Sequence, residues 1–126
     1  MIIGKVVSGD KKAAKYLNGK QYKNFIFEKL GFKPYSGTLN VEVNPEKRRI
    51  FLESIKEIRI EAFELDKEQF GGISIFKARL NGIEGAVVIP EKTEHSDNII
   101  EFIAEFNLRK RLNLKDESEV MIVKNV

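Results

Sequence analysis

Thr38, Asn40 and Glu42 stand two residues apart in the stretch PYSGTLNVEV, Pro34 to Val43, directly after a Pro/Gly turn. From Thr38 the alternation is strict, so Leu39, Val41 and Val43 share one face of a strand while a hydroxyl, an amide and a carboxylate share the other. Asn is a poor strand former. Two readings fit this polar face: it is solvated, or it is a set of oxygen ligands turned toward a pocket. A hard cation such as Mg²⁺ takes oxygen ligands, keeps several waters and shares the rest of its shell with substrate phosphates. Neutral ligands such as Thr38 and Asn40 would leave the cation's charge for those phosphates, a useful arrangement in phosphoryl transfer. Taken alone, the spacing favours the solvated face.

Other chemistries are excluded or weakly supported. The chain has no cysteine and one histidine, so thiol nucleophiles, thiolate metal sites, disulfides and multi-histidine metal sites are all ruled out. It contains no Walker-type phosphate loop, no Gly-x-Gly-x-x-Gly dinucleotide loop and no Gly-x-Ser-x-Gly nucleophile elbow. The net charge is +3 in 126 residues, with basic clusters at Lys11 to Lys15 (KKAAK) and Arg109 to Arg111 (RKR). Such clusters are solvated faces by default, with phosphorylated ligands or nucleic acid as the alternatives. They lack the interleaved aromatics of a single-strand groove, so nucleic acid is not the expected partner.

The elements that must position these residues are short. IIGKVV reads as a first strand ending at Ser8-Gly9. QYKNFIFEKLGF places Tyr22, Phe25, Ile26, Lys29 and Leu30 at helical spacing, with Gly31 as a C-terminal stop. Residues from Ile50 to Leu65 favour strands. GISIFKARL, then Asn81-Gly82, then IEGAVVIP reads as a β-hairpin closed by a turn that takes positive φ, with Pro90 ending its second strand. The pattern then changes period: Ile99, Ile100, Ile103 and Ala104 predict a helix with Ser96 or Asp97 as N-cap and Glu101 on another face. A helical turn over Leu108 to Leu112 precedes a final strand, EVMIVKNV. Length and pattern predict one domain over residues 1–126, mainly β with inserted helices, closing as a small barrel. No apolar run approaches a membrane span, and the expectation is a soluble, cytoplasmic monomer.

Three ordered motifs sharpen this reading. KVVSG, then LGFKPYSGTLNVEV, then GAVVIPEKTEHSDNIIEFIAEFNLRKRLNLKDESEV together resemble the archaeal CTP-dependent riboflavin kinase family over nearly the whole chain. The most specific parts are Pro34-Tyr35-x-Gly37-Thr38-Leu39-Asn40, Pro90-x-Lys92-Thr93-x-His95-Ser96 and Leu108-Arg109. The resemblance implies a compact six-stranded cradle-loop barrel that transfers the γ-phosphoryl group of CTP to riboflavin, giving FMN and CDP. It assigns Thr38 and Asn40 to Mg²⁺, Thr93 and Glu101 to the flavin nucleotide, and Phe106, Asn107, Leu108 and Arg109 to the cytidine. It also gives Glu101 a catalytic role in orienting or deprotonating the ribityl 5′-hydroxyl.

One departure stands beside it. After Ser8-Gly9 the family carries a glycine-rich run whose backbone N–H groups approach the triphosphate, whereas this chain reads GDKKAAKYL. A Cβ restricts the positive-φ conformations that form such a nest. Lys11 and Lys12, following Gly9, would then compensate by pairing with phosphate directly. The rival reading is a flavin- or nucleotide-binding barrel with impaired catalysis, acting as a ligand-binding module.

Overall fold

Ile2, Gly4 and Val6 are buried while Ile3 and Lys5 are exposed, the period of two that makes the start of the chain a strand. The computed structural model describes residues 1–9, 20–91 and 97–125. Within them nine strands run in chain order: β1 (Ile2–Val7), β2 (Leu39–Glu42), β3 (Ile58–Ile60), β4 (Phe63–Leu65), β5 (Glu68–Phe70), β6 (Ile73–Leu80), β7 (Ile83–Pro90), β8 (Ile99–Ala104) and β9 (Glu119–Lys124). Helices α1 (Lys20–Leu30), α2 (Pro45–Glu53) and α3 (Leu108–Arg111) are inserted between them.

Strands β6, β7, β8, β2, β1 and β9 pair in that order, each antiparallel to its neighbours, and β9 pairs back onto β6 to close the ring. The first half of β6 pairs instead with β3, while β4 and β5 form a separate two-stranded ribbon. Inward-facing Val6, Leu39, Val41, Leu80, Val87, Ile100, Phe102 and Ile122 fill the barrel. Asn81 and Gly82 close the β6–β7 hairpin at φ of 47° and 84°, the turn expected of Asn-Gly.

A second core lies outside the barrel. Tyr22 and Ile26 of α1 pack with Ile73 and Ile75 of β6, Ala86 and Val88 of β7, and Ile103 of β8. The Tyr22 hydroxyl donates to the Gly71 carbonyl at 2.7 Å, so this ring is buried without leaving its polar tip unpaired. Phe63 and Phe70 of the ribbon stack on each other at 4.7 Å and meet Tyr22 edge-on. Full burial of each such side chain is worth about 1.5–3 kcal/mol, enough to fix α1 against the sheet.

Two expectations are corrected. Residues Ile99–Ala104 form strand β8 and not a helix. Both faces of β8 are covered: Ile100, Phe102 and Ala104 point into the barrel and Ile103 into the outer core. Burial on both faces erases the period-two signal, and the apolar residues then fall by chance at helical spacing. Asp97 accordingly lies in a turn, while Ser96 lies outside the described residues. The strand-favouring reading from Ile50 fails in its first part, where Pro45–Glu53 is helix α2. Asn44 caps it by accepting from the Lys47 amide at 3.0 Å, and Pro45 opens its first turn. That helix supports β8 through Arg48, whose Nε donates to the Ile99 carbonyl at 3.0 Å. No helix among the described residues is long and apolar enough to cross a membrane.

Candidate active site

The register of β2 on β8 sets Asn40 opposite Glu101 and Leu39 opposite Phe102. Directly opposed residues of an antiparallel pair share a face, with Cβ atoms about 4.5–5.5 Å apart. Asn40 and Glu101 therefore project together from the outside of the barrel. Thr38, one residue before β2, donates its hydroxyl to Glu101 Oε1 at 2.8 Å. The polar face that the alternation defined divides here: Thr38 and Asn40 are only 6% and 4% exposed, whereas Glu42 is open to solvent.

Asn40 Oδ1 is buried and accepts no hydrogen bond among the described residues. Leaving such an acceptor unsatisfied costs about 1–3 kcal/mol, a penalty that a ligand contact would remove. An amide oxygen and a hydroxyl oxygen beside a carboxylate form an all-oxygen donor set, which suits a hard cation such as Mg²⁺. Gly9, at the end of β1, abuts this amide so closely that a Cβ there would overlap Asn40 Nδ2. The chain just after β1 thus reaches Asn40 directly.

A cleft of about 400 Å³ runs from Thr38 to the segment after β8. Thr38, Tyr35 and Gly37 line one side, and Phe106, Asn107, Leu108 and Arg109 line the other. The PYSG turn is pinned to the end of β8 by the Tyr35 amide, which donates to the Ala104 carbonyl at 2.8 Å. Across the mouth, Asn107 Nδ2 donates to the Tyr35 hydroxyl at 3.2 Å. Leu108 is buried in the barrel core and so anchors the segment, leaving Phe106 and Arg109 at the cleft. The guanidinium of Arg111 lies 4.2 Å over the Phe106 ring and holds that aromatic from behind.

One polar contact was not visible in the motifs. Asp116 accepts from Arg109 Nη2 at 2.9 Å and from the Ser8 hydroxyl at 3.0 Å, joining the end of β1 to the α3 segment. Arg109, and then Ser8, hold the Asp116 carboxyl below the ordinary carboxylate range. Ser8 and Asp116 are 108 positions apart, and no local spacing signals their meeting. The structure brings Gly9, Thr38, Asn40, Glu101 and the Phe106 to Arg109 segment to one side of the barrel. Lys11, Lys12, Thr93 and His95 lie outside the described residues.

A closed antiparallel barrel carrying an oxygen-donor pair on its flank and a cleft beside it defines a riboflavin-kinase-like barrel. The chain belongs to the CTP-dependent riboflavin kinase family, which is described as a domain of unknown function, DUF120, and matches residues 6–123. It is 44% identical over 117 residues to a riboflavin kinase of Pyrobaculum aerophilum, covering 91% of this chain and 56% of that protein. A riboflavin kinase of Pyrococcus furiosus is 45% identical over 124 residues, 97% of this chain and 57% of the relative. For a riboflavin kinase of Ignicoccus hospitalis the figures are 42% over 122 residues, 95% and 68%. The chain thus spans a little over half the length of the first two relatives.

Proposed function

We propose that this domain is a riboflavin kinase that transfers the γ-phosphoryl group of CTP to the ribityl 5′-hydroxyl of riboflavin, releasing FMN and CDP. The observation that carries the reading is that Thr38, whose hydroxyl donates to Glu101, lines the same cleft as Phe106 and Arg109, beside the family match. It supports a reading in which a cation-holding pair and a nucleotide groove lie side by side.

In this reading Thr38 and Asn40 hold Mg²⁺, which when bound neutralises phosphate charge as the phosphoryl group moves. The Thr38 hydroxyl donates its hydrogen bond to Glu101, so its lone pairs remain for a ligand. Glu101 thereby orients a cation ligand, and it faces the same side of the sheet as Asn40, where the acceptor hydroxyl would be received. A loose phosphoryl-transfer transition state asks little of a base, so the larger part of the Glu101 role is to orient that hydroxyl. Phe106, Asn107, Leu108 and Arg109 take the cytidine. Gly9 leads to Lys11 and Lys12, which supply positive charge to the triphosphate, while Thr93 contacts the flavin nucleotide. The protein acts as a soluble domain on small molecules, with no nucleic acid in its reaction.

Incubation with riboflavin, Mg²⁺ and each nucleoside triphosphate in turn, followed by chromatography for FMN, tests the proposal. FMN formation that is strongest with CTP is expected. Equal yields from ATP and CTP would remove the donor assignment. Flavin binding without FMN from any donor would favour the binding-module alternative, which Lys11 and Ala13 in place of glycines support.

A further inference from the structure

Three separated stretches meet at Asp116. Its carboxylate takes the Ser8 hydroxyl, with both oxygens at 3.0 Å, and one nitrogen of Arg109 at 2.9 Å. Ser8 precedes Gly9, which touches the Asn40 amide, and Arg109 lines the cleft. Asp116 is itself outside the cleft lining, and among the described residues it meets the site through these two partners.

Stability does not explain the arrangement. The pair is solvent-exposed, and exposed ion pairs contribute little. The turn that carries Asp116 is already stapled by backbone bonds of 2.8 Å each: Leu114 N–H to the Arg109 carbonyl, Val6 N–H to the Ser118 carbonyl, and Glu117 N–H to the Val6 carbonyl. That turn also holds Asn113 and Glu117 at φ of 53° and 75°. Left-handed backbone is tolerable for Asn and unfavourable for Glu. A strained, independently braced turn is thus used to present one carboxylate to two nucleotide-side segments at once.

We propose that Asp116 is a positioning residue for the nucleotide donor, clamping Arg109 and Ser8 in a single arrangement so that the α3 segment and the end of β1 meet the donor already ordered. This rests on the kinase reading above. A carboxylate that grips one guanidinium nitrogen leaves the other donors of Arg109 for a ligand. The clamp also removes in advance the entropy of ordering a long, flexible side chain. The competing possibility is that Asp116 is only a counter-ion to Arg109. The two predict opposite signs for Asp116→Asn, which removes the charge and keeps an oxygen for Ser8. A lost counter-ion raises local positive charge and tightens an anionic nucleotide. A lost clamp weakens it.

The experiment compares wild type, Asp116→Asn, Arg109→Ala and the double variant by calorimetric titration with CDP, by the KM for CTP and for riboflavin, and by thermal melting. Asp116→Asn is expected to raise the CDP Kd and the CTP KM about three- to tenfold, the scale of ordering one such side chain, with riboflavin KM and Tm nearly unchanged. The double variant should be little worse than Arg109→Ala, because the effect passes through Arg109. Unchanged or tighter CDP binding in Asp116→Asn overturns the inference, as does an equal loss of riboflavin affinity or a large fall in Tm. Wild type that binds CDP without making FMN defeats the kinase reading while the CDP titrations still judge the clamp. Wild type that binds no CDP defeats both.

Discussion

Replacing Gly9 with alanine adds one methyl group directly against the amide nitrogen of Asn40, because a Cβ built on Gly9 overlaps that atom. Gly9 does not have a left-handed φ, so the backbone accepts alanine, and the narrower unfolded ensemble contributes about 0.4–1 kcal/mol of stability. Overpacking opposes this by about 1–3 kcal/mol. The net loss is at most about 2–3 kcal/mol, roughly 10 °C in Tm for a chain of this size. The effect on the site is larger. Carbon and nitrogen must separate toward about 3.5 Å, which moves the Asn40 amide by about an ångström, and misplacement on that scale can lower turnover about 100-fold. FMN formation from riboflavin and CTP, followed across a Mg²⁺ titration, should show that loss at limiting Mg²⁺ and partial recovery at high Mg²⁺. Gly9→Ala combined with Asn40→Ala should be no worse than Asn40→Ala alone, since both act on one amide. Full turnover of Gly9→Ala at limiting Mg²⁺, beside an inactive Asn40→Ala, would refute the reasoning, and so would an Asn40→Ala variant that is itself fully active.

Thr38→Val keeps the β-branched shape and deletes a hydrogen bond to a carboxylate worth about 1.5–3 kcal/mol; turnover at limiting Mg²⁺ should fall by far more than the melting temperature accounts for. Glu101→Gln retains an oxygen to accept from Thr38 but loses charge and basicity, so phosphoryl transfer should slow while riboflavin affinity, read by flavin fluorescence, drops only modestly; loss of affinity alone would mean a purely positioning role. Lys11→Ala with Lys12→Ala should weaken CTP binding about tenfold or more and flatten its salt dependence, because exposed charges are screened over about 10 Å at 0.1 M salt. Calorimetry at two salt concentrations checks this, and unchanged affinity would mean that Lys11 and Lys12 take no part in holding the triphosphate.

The hairpin at Asn81-Gly82, the first and last strands, and helix α1 with its stop at Gly31 were all legible in the sequence, because local turn chemistry and simple periodicity decide them. Strand β8 was not: its inner face belongs to the barrel while Ile103 on its outer face packs beside α1, and apolar residues on both faces blur the alternation. Helix α2 was missed because strongly charged residues mask its apolar stripe, although Asn44-Pro45 is a recognisable start signal. At the site, alternation identified Thr38, Asn40 and Glu42 as one polar face but could not separate the two buried members from the exposed one. That division depends on what stands beside each: Gly9 against Asn40 and Glu101 against Thr38. The Ser8–Asp116–Arg109 contact left no trace, since tertiary meeting of exposed polar residues imposes no pattern on the chain.

The ring closure by β9 has a kinetic meaning. β9 pairs with β1 through Ile2 and Ile122, and with β6 through Ala78 and Lys124, so the strand that comes last in the barrel's sequence order supplies two of its seams. Pairings between strands more than a hundred residues apart raise contact order, and their loop-closure entropy must be met before the contact gives anything back. Until β9 emerges, β1 and half of β6 present open edges that can pair with other chains. Folding of this barrel should therefore be slow for its size, and the partly synthesised chain should be its most aggregation-prone state.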